Sequence, residues 1–228
     1  MKTYAVICTR DRSQVTHTTD ELVKLYVKCG IQVVLMAGQE SIFTAYSNAL
    51  NQINASDDDQ IIFCHDDLEI RNTPEEFMEK LNSELSEEGV GFIGPAGTTM
   101  LTPDAVWWNH NMWQSGYHRG RVVHLDPQGR EYNTDYGPEG QVVVLDGLFL
   151  AAKVGVVRKV GLKKPEYFQG DWDFYDIHYT AKAHELGYKN KAFYMRILHH
   201  SRGELVGRDS WRMNREAFIR NTELPLSV

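Results

Sequence analysis

Gln60-Ile61-Ile62-Phe63-Cys64-His65-Asp66-Asp67 sets an apolar run directly before a histidine and two carboxylates. A short apolar run with polar ends reads as a strand covered on both faces, which places it near the centre of a sheet. Outward from it, Thr3 to Thr9 (TYAVICT) and Ile31 to Met36 (IQVVLM) are two further strands of the same character. Helices fall between them. Thr18-Thr19-Asp20-Glu21 is a capping box opening a helix with Leu22, Leu25, Tyr26 and Cys29 on one face and Gly30 as its stop. Ile42 to Ile53 reads as a second helix, and Ser56-Asp57-Asp58-Asp59 as a solvated loop. Thr73-Pro74-Glu75-Glu76 starts a third, with proline at the first helical position, and Val90 to Ile93 is a fourth strand. This alternation predicts an α/β fold with a mostly parallel central sheet and helices on both faces.

The segment from Gly94 to Gly140 breaks the rhythm, being rich in Gly, Trp, His and Tyr, with one clear strand at Arg121 to Leu125. So long an irregular segment inside a compact chain is usually functional. Strands resume at Gln141 to Leu145 and Phe149 to Ala151. A helix is expected over Asp171 to Leu186 with Gly187 at its end, a strand over Ala192 to Leu198 and an amphipathic helix over Asp209 to Asn221. No repeat or linker divides the chain, so one domain over residues 1–228 is expected.

The chain has 24 basic and 31 acidic residues, a net charge of −7, which disfavours nucleic acid or an anionic membrane as partner. No apolar run approaches the ~18 residues of a membrane span, and Met1-Lys2 leads into a strand rather than a signal peptide. The three cysteines, Cys8, Cys29 and Cys64, read as thiols of a reducing compartment, so a cytoplasmic location is expected.

Three clusters carry chemistry. Asp66 and Asp67 stand at the carboxyl end of the central strand, where open α/β sheets bind ligands. Adjacent carboxylates there suit Mg²⁺ or Mn²⁺ with substrate phosphates, or equally a solvated turn. Tyr167-Phe168-Gln169-Gly170-Asp171-Trp172-Asp173 puts two carboxylates at an expected helix start, as a general base or as ordinary caps. His199-His200-Ser201-Arg202-Gly203 ends a strand with a ligating imidazole and a phosphate-binding guanidinium. Arg10 and Arg12 follow the first strand and suit phosphate or plain solvation. Trp107, Trp108 and Trp113 suit stacking on a sugar or stapling the irregular segment to the core.

In this order, the pieces resemble the family-2-like, GT-A fold nucleotide-sugar glycosyltransferases, in their bacterial glycosyltransferase-like branch. The resemblance runs through Ser41 to Leu50, Ile61 to Ile70, Leu145-Asp146-Gly147-Leu148-Phe149-Leu150-Ala151-Ala152, Gly170 to Asp173 with Gly187-Tyr188, and His199 to Gly203. This chain departs from it at His65, where the metal motif has its first acid, and at Gly170, where a Glu precedes the catalytic Asp. The resemblance implies inverting sugar transfer from a nucleoside-diphosphate sugar to a hydroxyl of a glycan or other acceptor, with Asp171 as general base. It assigns Asp67 and His200 to Mn²⁺ or Mg²⁺, and Thr9, Arg10, Asn48, Asp66 and Arg202 to the donor. Asp146, Gly147, Trp172 and Asp173 fall to the acceptor. Residues 1–93 would form the donor half and 94–228 the acceptor and catalytic half. Two rivals stay open: a sugar- or nucleotide-binding module without chemistry, and a metal-dependent phosphohydrolase.

Overall fold

A computed structural model describes residues 1–9, 17–109, 114–126, 128–200 and 208–228. The first half runs β1 (Thr3–Thr9), α1 (His17–Lys28), β2 (Gln32–Ala37), α2 (Ile42–Gln52), β3 (Gln60–His65), β4 (Leu68–Ile70), α3 (Pro74–Ser86) and β5 (Val90–Gly94). Then come β6 (Ala96–Thr98), β7 (Met100–Leu101), β8 (His118–Leu125), β9 (Glu131–Gly137), β10 (Gly140–Val142), β11 (Val144–Leu145) and β12 (Phe149–Lys153). The chain continues with α4 (Val154–Val160), α5 (Tyr175–Glu185), β13 (Lys189–Ala192), β14 (Ile197–His199), α6 (Asp209–Asn221) and β15 (Leu226–Ser227).

A seven-stranded sheet has the order β10-β13-β5-β12-β3-β1-β2. The α/β class is as expected, but the sheet is mixed: β12 runs antiparallel between β3 and β5, and β10 antiparallel to β13. A strand buried on both faces is apolar whichever way it runs, so composition carries no sign of direction. Neighbouring residues of β3 show how the helices cover both faces, since successive side chains point to opposite sides. Cys64 meets the Tyr26 hydroxyl of α1 at 3.5 Å, while Phe63 packs on the Tyr46 ring of α2 at 4.5 Å. Behind Tyr26 lies Phe77 of α3, and beside Tyr46 lies Tyr175 of α5.

The second sheet, β11-β6-β8-β14-β4 with β9 paired to β8, occupies much of the segment expected to be irregular. Its β8–β9 hairpin was hidden because β9 is largely solvent-facing and shows no apolar alternation; Arg121 and Asp135 pair across it at 2.6 Å. Among the described residues the chain crosses from the first sheet to the second after β3, β5, β10 and β13; the crossing after β3 is the turn Asp66-Asp67 that leads into β4. There β4 pairs antiparallel with β14, and Leu68 faces His199.

Other boundaries shift for local reasons. The Thr73 capping box forms in full, with Ser41 capping α2 and α6 spanning Asp209–Asn221 as expected. Thr19, expected in a cap, sits inside α1 and donates its hydroxyl to Asp66 O at 2.9 Å. The helix expected from Asp171 begins only at Tyr175, because Phe174 takes a left-handed backbone (φ 69°). The strand expected over Ala192–Leu198 is split into β13 and β14. Asp59, expected in a solvated loop, is buried and accepts from the backbone N–H groups of Lys2 and Ser56 at 2.6 and 2.8 Å.

Asn190 on β13 ties three elements together. Its carboxamide accepts from Phe92 N at 3.0 Å and donates to Val143 O and Thr180 O at 2.8 and 2.7 Å, with no exposure to solvent. Replacing it by Ala removes three buried hydrogen bonds, each worth about 0.5–1.5 kcal/mol and more where a backbone group is left unpaired. Asn190→Ala is therefore expected to lower the unfolding free energy by about 3 kcal/mol or more, measured as a lower urea midpoint at unchanged slope.

Candidate active site

The turn after β3 gathers three ligating side chains. His65 ends β3 and Asp67 lies two residues on, in the turn that follows. The antiparallel register of β4 and β14 brings His199 to them. His199 Nε2 lies 3.4 Å and His65 Nδ1 3.9 Å from the same Asp67 Oδ1, and the three ligand atoms lie within 4.8 Å of one another. The backbone holds this group rigidly: His65 N donates to Leu148 O and His200 N to Asp67 O, each at 3.0 Å.

Burial would raise the Asp67 carboxyl, but the adjacent His199 and His65 imidazoles outweigh it and hold the group down at about 2. His65 is depressed, because burial outweighs the pull of Asp67. Burial also acts against charge on His199, yet the Asp67 carboxylate beside it lifts its pKa above the usual imidazole value. Two imidazoles and an ionised carboxylate are a ligand set for a divalent ion of the borderline transition series. The donor atoms fit one: Asp67 Oδ1 and His199 Nε2 are buried and gain no well-formed hydrogen bond among the described residues. The expected ligand His200 points elsewhere, its Nε2 3.4 Å from Glu69 Oε2, because consecutive residues leave a strand on opposite sides. His124 joins the group's margin instead. It is the register partner of His199 on β8, with the two rings 5.9 Å apart.

A second group adjoins the first. Tyr175 at the start of α5 lies 2.9 Å from His65 Nε2 and donates its hydroxyl to Gly147 O at 2.9 Å. Gly147 N donates to Asp176 Oδ2 at 2.9 Å, and Asp146 accepts from Leu148 N at 3.0 Å. No side chain fits at Gly147: a Cβ there would stand 2.4 Å from the Tyr175 hydroxyl and 2.8 Å from the Asp176 Cβ. Burial, then the nearby Asp146 charge, push the Asp176 carboxyl up to about 7, against the helix N-terminus and the Gly147 N–H that favour its anion. A carboxyl titrating there is suited to take a proton at neutral pH.

The remaining expected residues divide. Asp171 is 45% exposed, forms a 2.8 Å ion pair with Lys164, and accepts from Ile42 N at the head of α2 through its carbonyl. It lines a shallow polar hollow with Gly38, Gln39, Glu40, Ser41 and Thr44, and its hydrogen bonds and ion pair among the described residues go to Ile42, Ser41 and Lys164, not to the His65–Asp67–His199 group. Asp173 is 4% exposed and its carboxylate accepts from Ser210 Oγ at 2.5 Å, so it braces the loop on α6 rather than facing an acceptor. Asn214 accepts from Gln169 N and Gly170 N and donates to Gly170 O and Asp173 O, which leaves Gly170 pressed against α6 with no room for a Glu. Trp172 is exposed and open to a ligand. Thr9 is buried at the end of β1, and its hydroxyl has no hydrogen-bond partner among the described residues. Asp66 is half-buried on the turn and Asn48 exposed midway along α2. Trp107 is buried against Tyr136, and Trp108 packs on Trp211 of α6, so both staple the segment to the core. Arg10, Arg12, Trp113 and Arg202 lie outside the described residues.

The resemblance places His200 rather than His199 at the metal, and Asp176 falls inside the expected helix with no role assigned; side-chain spacing along one chain does not reveal which of two adjacent histidines faces a distant carboxylate. Because the folded pKa of Asp176 is raised above the ordinary 3.8 to about 7, its contribution to stability is complete below pH ~4 and lost as pH rises through about 7. Asp176→Asn keeps an acceptor for Gly147 N but cannot ionise. Relative to wild type, the variant should gain stability between pH 5 and pH 8 in denaturant titrations at the two pH values.

Among the described residues no helix is long and apolar enough to cross a membrane. Residues 4–205 match the glycosyltransferase like family. Over 145 residues the chain is 28% identical to the streptomycin biosynthesis protein StrF of Streptomyces griseus, a match covering 62% of this chain and 47% of that protein, about half its length. The structure of GalNAc-T7 with UDP, GalNAc and Mn²⁺ superposes over 92% of this chain and 45% of that one, with a TM-score of 0.52 at 11% identity. That of A197 from STIV covers 88% of this chain and 86% of the other at 14% identity, with a TM-score of 0.48. An α/β sheet flanked by helices, a His-Asp-His group at the carboxyl end of its central strand and a family match over most of the sequence lead to one assignment: the chain belongs to the glycosyltransferase-like family, with a GT-A type fold.

Proposed function

We propose that this chain transfers a sugar from a nucleoside-diphosphate sugar to an acceptor hydroxyl with inversion at the anomeric carbon. The observation that carries the reading is the His65–Asp67–His199 group at the carboxyl end of β3, within a chain of this family. A solved protein of similar fold holds UDP, GalNAc and Mn²⁺. Residues 1–93 supply the donor side, including the buried Thr9 hydroxyl, which has no hydrogen-bond partner among the described residues; residues 94–228 supply the acceptor side and return His199 to the donor. His65, Asp67 and His199 would hold the divalent ion, and their imidazole content favours Mn²⁺ over Mg²⁺, which prefers oxygen ligands. Such an ion, when bound, neutralises charge on a diphosphate.

The acceptor oxygen attacks the anomeric carbon as its proton passes to a carboxylate, and the bond from that carbon to the diphosphate breaks. Two carboxylates compete for the proton. Asp171 is half-exposed and occupied by Lys164, whereas Asp176 is tuned to about 7 beside Asp146 and the metal-side tyrosine. The geometry favours Asp176 as the base, with Asp171 as a contact at the hollow by α2. Unpaired thiols at Cys8, Cys29 and Cys64 accord with a cytoplasmic location.

A thermal-shift panel of UDP, GDP, CDP and dTDP, each with and without Mn²⁺, tests the donor site. One diphosphate at about 100 times its Kd should add about 2.7 kcal/mol with Mn²⁺ present, and Asp67→Ala should abolish the gain. Stabilisation by none of them sinks the reading, and phosphate release from a nucleotide without acceptor turns it towards hydrolysis. Once a donor is known, Asp176→Asn is expected to lower kcat by about 10²-fold or more with donor Kd unchanged. Asp171→Asn should change kcat by less than about tenfold, and the reverse order would return the base to Asp171.

A further inference from the structure

The Tyr175 hydroxyl stands between two partners, His65 Nε2 and Gly147 O, each at 2.9 Å. A phenol has one proton and a carbonyl can only accept. Only one arrangement makes both contacts bonds: the phenol donates to Gly147 O and accepts from His65 Nε2–H. A neutral imidazole carries one N–H, so this leaves the lone pair on Nδ1. That nitrogen faces Asp67 Oδ1 at 3.9 Å, with His199 Nε2 3.4 Å from the same oxygen. A lone pair and a carboxylate directed at one point are what a cation shares; the other tautomer would aim an N–H there.

The tyrosine itself has little freedom. Its ring is 5% exposed and is held edge-on by Phe43, Tyr46 and Tyr179 at 5.7–6.5 Å. On its other side Gly147 leaves the hydroxyl the space that any Cβ would take. We propose that Tyr175 is a positioning residue that fixes His65 in the Nε2–H tautomer with Nδ1 turned to Asp67 and His199, and so sets the affinity of that group for a divalent transition ion. It never touches the ion. Its action through a ligand's second nitrogen is the kind of outer contact whose loss typically costs 10–100-fold in metal affinity. The proposal rests on the reading that this group holds a metal.

The test is titration of the full-length chain with Co²⁺, followed by visible absorption and calorimetry. Tyr175→Phe keeps the ring and removes only the hydroxyl, and should weaken Co²⁺ 10–100-fold and alter the ligand-field bands. Tyr179→Phe serves as control, because the Tyr179 hydroxyl donates to Leu162 O in the same ring cluster and touches no ligand; its affinity should match wild type. Wild type that binds no Co²⁺ refutes the metal reading itself. Wild type that binds while Tyr175→Phe binds equally well refutes the positioning role alone. Should the variant fail to fold, the ¹⁵N shifts of the imidazole of His65 in the metal-free wild type decide: protonated Nε2 is expected, and protonated Nδ1 overturns the proposal.

Discussion

Everything at the site hangs on one backbone turn. At Asp66-Asp67 the chain leaves the seven-stranded sheet and enters the second, and three hydrogen bonds from separate elements lock that passage. Thr19 of α1 bonds Asp66 O, His200 N bonds Asp67 O, and the His65 N–H closes on Leu148 O. A loop tethered at one end would let its carboxylate wander by more than a coordination bond tolerates. Tethered to two sheets and a helix, Asp67 has a place, and His65 and His199 inherit theirs from it.

The same enclosure drives two carboxylates apart. Asp67 is pulled down to about 2 by imidazoles, despite burial, while Asp176 is pushed up to about 7 by burial and the charge of Asp146. One is then a permanent anion fit for a cation, the other a group able to gain and lose a proton near neutrality. Environments that split like groups in this way are how a site divides labour between electrostatic holding and proton transfer. Gly147 is the hinge of the pair. Its carbonyl accepts a hydrogen bond from the Tyr175 hydroxyl and its N–H donates to Asp176, so one residue without a side chain joins the two halves.

Much of the fold was legible in local chemistry. The apolar run of β3, the capping box at Thr73 and the limits of α6 follow from burial, capping and periodicity alone. The β8–β9 hairpin was not, since its outer strand faces water and carries no alternating pattern. The start of α5 was not, because a left-handed Phe174 has no signature in its residue type. That four-residue shift matters: it moves the first-turn acid of the helix from Asp171 to Asp176.

By itself the sequence determined an α/β chain with a carboxylate turn at the end of its central strand, because hydrophobic burial and capping act over a few residues and are written there. The tertiary structure alone decided the direction of β12, the gathering of His199 rather than His200 beside Asp67, and the contact of Tyr175 with His65. Each depends on which strand or helix lies alongside. Register between distant segments is set by the packing of whole sheets, and a one-residue change in it turns every side chain to the opposite face.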